Sequence, residues 1–193
     1  MPNGCLVCYQ HGDILILNEG IEIQRFPVFF SKKERLLGRI NILSRLLRLG
    51  VRAAETIDND RIIISVGSIL YELNLNTKIL SDGYYCVEGV RPLSFTTVKG
   101  IDGFVDGVYF GGYVHNFKKE PVNIYHRRGC DDWEVVYTFP RGIINHIHNI
   151  ISDPFRNCLW VLTGDFEESS AIWKIENGFK KVERFVAGEQ KWR

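Results

Sequence analysis

Short segments in which apolar and polar residues alternate follow one another along most of this chain. Residues 21–26 (IEIQRF) and 69–75 (ILYELNL) alternate with a period of two, which is typical of half-buried β-strands. Residues 13–17 and 61–66 are more continuously apolar, and each is followed by a short turn that contains glycine. The pattern therefore predicts short strands joined by tight turns.

The most regular unit occupies residues 143–175. An apolar run at residues 143–152 ends at the turn signal Asp153-Pro154, and two further runs follow at residues 158–163 and 171–175. This order predicts strand, turn, strand, loop and strand. Comparable strands are predicted at residues 6–9, 91–98, 108–113, 122–127, 134–139 and 180–186. Gly111-Gly112 lies inside one of them and predicts a bulge; the alternative is a close approach of backbone or ligand.

The predicted strands repeat at a regular spacing. The second strands of successive groups begin near residues 14, 62, 108 and 158, and the third strands begin near residues 21, 69, 122 and 171. Both series advance by roughly 45–53 residues, the length of a four-stranded propeller blade. A β-sandwich also has many short strands, but it does not require one spacing to recur in two series. We therefore predict an all-β fold, a β-propeller of four-stranded antiparallel blades.

The number of blades bears on how much of a propeller this chain forms. The four groups amount to about three and a half blades, whereas closed propellers have about 4–8. The last group also lacks the turn and the closing strand that would seal a ring. We expect residues 1–193 to form a single β-propeller domain that is incomplete at the C-terminus.

Residues 32–52 interrupt the strand pattern and predict a helical insertion near residues 34–50. Apolar positions 36, 40, 43 and 47 share one helical face, and Arg45, Arg48 and Arg52 share another. In one interpretation the leucine face packs on the β core between two blades. In the other, the basic face binds a protein partner or a membrane surface.

Composition excludes several classes of function. A net charge of +1 gives no general attraction to nucleic acid. No apolar run approaches the roughly 20 residues of a membrane-spanning helix, so no integral membrane segment is predicted. The N-terminus lacks a basic, apolar signal sequence, so we expect a cytoplasmic protein. The cysteines lack the paired CxxC spacing of a zinc site, so we expect them to be structural.

No Walker loop, G-x-G-x-x-G or G-x-S-x-G motif is present, and no cofactor is predicted.

The candidate chemistry centres on His146 and His148. Residues two apart on a strand point to the same face, which would line the central channel if this strand is the innermost of its blade. The pair could bind a metal or transfer protons, or it could simply bond backbone and water. An H-x-H pair alone lacks a third ligand, which Asp153 or Asp165 could supply only through the fold, so no metal site is assigned.

Three more polar residues are candidates for ligand binding. Asn145 begins the same run as the two histidines. Asp165 follows Thr163-Gly164 at a strand end, where it could act as a general acid, bind a sugar hydroxyl or cap the turn. Arg91 precedes a proline and is held extended, so it could bind a carboxylate or phosphate, or form a surface salt bridge.

One turn and its successor suggest a family. The segment Gly129-Cys130-Asp131-Asp132-Trp133, and the turn at residues 176–179 one blade later, resemble the Asp-box (approximately S-x-D-x-G-x-x-W) of sialidase-like propellers with BNR repeats. Sialidases of that group bind the substrate carboxylate with arginines, one of them in an Arg-Ile-Pro motif; this chain has Arg91-Pro92-Leu93, one blade later.

The resemblance implies a glycan-directed propeller that binds or hydrolyses a saccharide at the mouth of the central channel. Asp165 is then the candidate acid with His146 and His148 assisting, and Arg91 and Asn145 bind the substrate. The alternative is a non-catalytic propeller scaffold that binds a protein partner through the basic helix.

Overall fold

The structure is a computed structural model that describes residues 5–28, 33, 36–37, 40–46, 50–86, 90–166 and 169–189. These residues contain sixteen strands, arranged in four antiparallel sheets that we call blades 1 to 4. Blade 1 consists of β1 (Cys5–Gln10), β2 (Asp13–Asn18) and β3 (Ile21–Pro27). Blade 2 consists of β4 (Val51–Thr56), β5 (Arg61–Val66), β6 (Ile69–Asn74), β7 (Ile79–Leu80) and β8 (Tyr84–Tyr85).

Blades 3 and 4 are regular four-stranded meanders. Blade 3 consists of β9 (Thr96–Val98), β10 (Gly107–Gly111), β11 (Val122–Gly129) and β12 (Asp132–Phe139). Blade 4 consists of β13 (His146–Asp153), β14 (Cys158–Gly164), β15 (Ala171–Glu176) and β16 (Lys181–Ala187). The second and third strands of all four blades lie where the repeat predicts them, which confirms the predicted all-β fold of antiparallel blades.

The blades pack face to face, and their second strands explain the apolar runs in the sequence. In β5, Ile62 and Ile64 point towards blade 1 and join its buried cluster, whereas Ile63 points the other way into a cluster shared with blade 3. In β10, Phe110 faces blade 2 and Tyr109 faces blade 4. These strands are apolar at nearly every position because both of their faces are covered.

Helical residues occur where the insertion is predicted. Residues 33, 36 and 37 are helical, and the helix α1 spans Asn41–Leu46. Arg48 and the side chain of Arg45 lie outside the described residues. The prediction that Arg52 lies on the basic helix face is wrong, because Arg52 lies in β4. Gly50, directly before β4, has a φ of 116°. None of the described helical segments is long and apolar enough to span a membrane.

The leucine face of the insertion is only partly covered. Leu36 and Ile40 are exposed, so the interpretation that these two positions pack on the β core is wrong. Position 47 lies outside the described residues. Ile42 and Leu46 of α1 are exposed as well.

Gly111-Gly112 marks a close approach of two blades. The pairing of β10 with β9 and with β11 shows no register shift, so the glycines do not form a bulge. The carbonyl of Gly112 instead accepts a 3.0 Å hydrogen bond from the backbone N–H of Ile147, in the first strand of blade 4. Glycine at position 111 leaves room for the Ile147 side chain.

Candidate functional site

A polar cavity of about 440 Å³ lies at one end of the blades. The first strands of blades 2 and 4 begin there, and the second strands of blades 3 and 4 end there. We call it the polar cavity and define it by its lining residues: Arg52, Arg91, Tyr113, Val114, His115, Asn116, Phe117, Asn145, His146, Asp165 and Phe166.

Two histidines of β13 meet at the wall of this cavity. The Nε2 atoms of His146 and His148 are 2.9 Å apart. A register shift between Ile147 and Asn149 makes His148 an extra residue of β13 relative to β14. The two imidazoles therefore lie side by side while Ile147 enters the core.

Asp165 joins the two histidines through the register of the hairpin. Gly164, the last residue of β14, pairs with His146, which places Asp165 directly beyond the imidazole. Oδ2 of Asp165 lies 3.1 Å from Nε2 of His146, and Oδ1 lies 3.4 Å from Nε2 of His148. The carboxylate thus faces both imidazoles. The other candidate third donor, Asp153, lies at the far end of β13, where it accepts hydrogen bonds from Arg156 and Trp160.

The surroundings of His146 determine its protonation. Nδ1 lies 3.3 Å from the backbone oxygen of Val114, and because a carbonyl can only accept, Nδ1 carries a proton. Burial lowers the pKa of His146 below its ordinary value, and the nearby carboxylate of Asp165 opposes this effect only in part. The Tyr113 ring packs 4.4 Å from the His146 ring, centroid to centroid. In the neutral imidazole this bond places the lone pair on Nε2.

Asn145 fastens the loop that forms the opposite wall of the cavity. Its Nδ2 donates to the backbone oxygen of Asn116 over 2.8 Å, and Nδ2 of Asn116 donates to the backbone oxygen of Asn145 over 2.9 Å. Oδ1 of Asn145 is buried and has no hydrogen-bond partner among the described residues. The pair of amides holds the segment between β10 and β11 against the start of β13.

Arg91 reaches the cavity from a short backbone bridge. The backbone N–H of Arg91 donates to the backbone oxygen of Tyr113 over 2.9 Å, and the backbone N–H of Tyr113 donates to the backbone oxygen of Arg91 over 3.2 Å. Within the part of the chain that the structure describes, no carboxylate pairs with the Arg91 side chain. The alternative of a surface salt bridge at Arg91 is therefore not supported by the described residues. Arg52 also lines the cavity and brings a second cation to it.

The structure brings the five predicted site residues to one place. Arg91, Asn145, His146 and Asp165 line the polar cavity, and His148 lies beside His146 and Asp165. Sequence reasoning missed Arg52, which it assigned to the helix, and it missed the loop residues His115, Asn116 and Phe117. The loop between β10 and β11 has no periodicity, and its only signal was the run of polar and aromatic side chains directly after Gly111-Gly112.

The Asp-box-like turn makes a contact between blades. Asp131, with φ of 53° in the turn between β11 and β12, accepts a 3.0 Å hydrogen bond from Oγ of Ser81 in the segment between β7 and β8. The adjacent Trp133 is buried in the cluster shared by blades 2 and 3. The aspartate therefore fastens the outer edge of blade 3 to blade 2.

No family model matches this sequence, and no curated protein matches it. Among solved structures, the chain is similar to the extracellular domain of BT4673 from B. thetaiotaomicron, described as a one component system, with a TM-score of 0.61 and 13% identity over 98% of this chain. It is also similar to the dihydro-heme d1 dehydrogenase NirN in complex with DHE, with a TM-score of 0.57 and 13% identity over 98% of this chain. A third similar structure is apo AztD from Citrobacter koseri, with a TM-score of 0.51 and 11% identity over 97% of this chain.

These similarities concern the fold. The chain spans 22%, 36% and 48% of the three structures, respectively. Together with the stacked blades, they show an all-β chain of β-propeller type. The narrower resemblance to sialidase-like propellers stays a prediction.

Proposed function

We propose that this chain is a glycan-directed propeller that binds an acidic saccharide in the polar cavity. The observation that carries the proposal is the pair of arginines, Arg52 and Arg91, at a cavity also lined by amide and imidazole groups. A guanidinium can bind a carboxylate or phosphate through two parallel hydrogen bonds. The proposal extends the resemblance to sialidase-like propellers to a specific cavity of this chain.

The lining of the cavity suits a sugar ring as well as its charge. Phe117 and Phe166 are exposed at the rim, with ring centroids 6.2 Å apart. Ligand sites commonly combine such apolar surfaces with a few fixed polar groups. We therefore expect an anionic group at Arg91 and an apolar sugar face against the aromatic rim.

Binding fits this geometry better than hydrolysis. Glycoside hydrolysis generally uses two carboxyl groups on opposite sides of the scissile bond. Asp165 is the single carboxylate among the described residues that line the cavity. Asp165 remains the candidate acid, with His146 and His148 assisting, but Glu167 and Glu168 lie outside the described residues.

The alternative function is a non-catalytic scaffold that binds a protein partner. The observation in its favour is the exposed apolar surface of α1, where Ile42 and Leu46 are 78% and 75% exposed. A partner at this helix would not need the polar cavity. Aspartate substitutions at Ile42 and Leu46 would then abolish partner binding and leave saccharide binding unchanged.

Arg91→Ala is expected to weaken the binding of an acidic oligosaccharide at least ~10-fold, because a hydrogen-bonded charge pair is lost. Isothermal titration calorimetry with glucuronate-containing and sialylated oligosaccharides, beside neutral ones of equal size, measures the effect. Arg91→Lys should recover only part of the affinity, because an ammonium cannot form the bidentate pair.

Arg156→Ala is the matched control for Arg91→Ala. Arg156 is an exposed arginine whose partner is Asp153, at the opposite end of β13 from the cavity. Its loss should leave binding unchanged. Equal affinity for neutral and acidic oligosaccharides, or an Arg91→Ala protein that binds like the parent, would contradict the proposal.

A further inference from the structure

Two imidazole nitrogens of β13 and the carboxylate of Asp165, directly after β14, converge beside the polar cavity. The distances are 2.9 Å from Nε2 of His146 to Nε2 of His148, 3.1 Å from Nε2 of His146 to Asp165 Oδ2, and 3.4 Å from Nε2 of His148 to Asp165 Oδ1. Bonds of about 2.1 Å to one ion, at angles between octahedral and tetrahedral, would separate neighbouring donors by roughly 3.0–3.4 Å. The separations of the two imidazole nitrogens and of His146 from Asp165 are therefore close to those of donors that share one metal ion, and with one atom taken from each residue all three donors lie within 4.8 Å of one another.

The donor atoms of the three groups face one another. In the tautomer that donates Nδ1–H to the carbonyl of Val114, Nε2 of His146 presents its lone pair towards His148 and Asp165. The carboxylate of Asp165 turns one oxygen to each imidazole.

The second contact of His146 is also typical of metal ligands. Histidines that bind metals generally donate their other ring N–H to a backbone carbonyl or a carboxylate, which fixes the tautomer and the orientation of the ring. Val114 supplies such a carbonyl from the neighbouring blade, and the Tyr113 ring packs against the imidazole. The imidazole is thus held in place from outside the cluster.

We propose that His146, His148 and Asp165 form a binding site for one divalent transition-metal ion of the zinc class. Two imidazoles and one carboxylate suit zinc, iron(II), cobalt or nickel, and are poor in the oxygen donors that calcium and magnesium prefer. Three protein ligands leave at least one coordination position for water or a ligand oxygen. His146 and Asp165 line the polar cavity, so that position is accessible to a bound molecule. The metal site does not depend on the proposed saccharide.

The test uses the full chain, stripped with a chelator and desalted. Titration with Zn²⁺ in a calorimeter should show one equivalent of high-affinity binding. Co²⁺ should bind with the visible absorption bands of a site with nitrogen and oxygen ligands, and without the intense thiolate charge-transfer band of cysteine ligation. His148→Ala and Asp165→Asn should each weaken Zn²⁺ binding at least ~100-fold, since removal of even a supporting group typically costs 10–100-fold.

His11→Asn is the matched control, because His11 is an exposed histidine in the turn between β1 and β2. This variant should bind Zn²⁺ like the parent. Thermal unfolding of each metal-free variant reports its folding; if His148→Ala does not fold, Asp165→Asn, at a position that is 38% exposed, carries the test. Substoichiometric binding, or unchanged affinity in Asp165→Asn, would show that these three residues do not form a zinc site and would overturn the proposal. Zinc binding without saccharide binding would contradict only the proposed function.

Discussion

Arg127→Ala is expected to destabilise this protein by about 3–5 kcal/mol, because it leaves a buried carboxylate without its partner. Arg127 of blade 3 and Glu72 of blade 2 form a bidentate ion pair, with Nε to Oε1 at 2.6 Å and Nη2 to Oε2 at 2.8 Å. The side chains are only 10% and 6% exposed. Urea unfolding followed by circular dichroism measures the change in the free energy of unfolding.

The neighbouring arginine provides a control at the next position of the same strand. Arg128 is 59% exposed and lies 3.7 Å from Asp132. Exposed pairs of this kind contribute roughly 0.2–1 kcal/mol, so Arg128→Ala should have little effect. A comparable loss of stability in the two variants would contradict the assignment of Arg127 as a buried connection between blades.

Replacement of both partners separates the burial of charge from the attraction of the pair. In a double-mutant cycle, Glu72→Ala and Arg127→Ala should be strongly non-additive, because each single change strands the remaining charge. The apolar double variant Glu72→Leu with Arg127→Met should approach the stability of the parent, since well-packed apolar residues often replace a buried ion pair at little cost. Additive single effects would show that the two residues stabilise different parts of the fold.

The period of two made the strands predictable, and the local nature of that signal explains what it missed. Strands β5 and β10 carry apolar residues on both faces, so their runs are visible without knowledge of the neighbouring blades. The sequence pattern places Arg52 on the basic helix face because it continues the spacing of the arginines at 45 and 48. Gly50 lies between them, and an added Cβ there would lie 2.8 Å from the Tyr9 ring of blade 1. A contact between blades therefore decides where β4 begins.

The candidate site also has one part that the sequence could predict and another that it could not. In the hairpin of β13 and β14, Asp153 pairs with Cys158. Counting back from that pair places residue 146 opposite residue 165, and the bulge at His148 moves the partner by only one position. The grouping of His146 with Asp165 was therefore within reach of the sequence. Arg52 and Arg91 come from blade 2 and from the start of blade 3, and no spacing along the chain indicates that they share a cavity with blade 4.

Gly111→Ala is expected to destabilise the protein by about 3 kcal/mol, because the junction of blades 3 and 4 has no room for a methyl group. A Cβ at this position would overlap Cγ2 of Ile147 and lie 2.5 Å from its Cβ. Ile147 cannot easily withdraw, since its N–H is bonded to the oxygen of Gly112 and its side chain is buried. Thermal and urea unfolding measure the effect.

The adjacent glycine gives the matched comparison. An added Cβ at Gly112 would meet the oxygen of Asn123 at 3.2 Å and Cγ1 of Val122 at 3.5 Å, so Gly112→Ala should cost distinctly less. Ile147→Ala should partly rescue Gly111→Ala, because the shortened side chain makes room for the methyl group. The double variant should lose about 1–2 kcal/mol less unfolding free energy than the sum of the losses in the two single variants.

The same substitution links the packing between blades to the candidate site. Ile147 lies between His146 and His148, so any displacement of its backbone moves both imidazoles relative to Asp165. Gly111→Ala should therefore weaken Zn²⁺ binding even under conditions in which the variant is fully folded, whereas Gly112→Ala should not. If folded Gly111→Ala bound Zn²⁺ like the parent, the geometry of the two histidines would be independent of the contact with blade 3, and the strands of blade 4 alone would determine it.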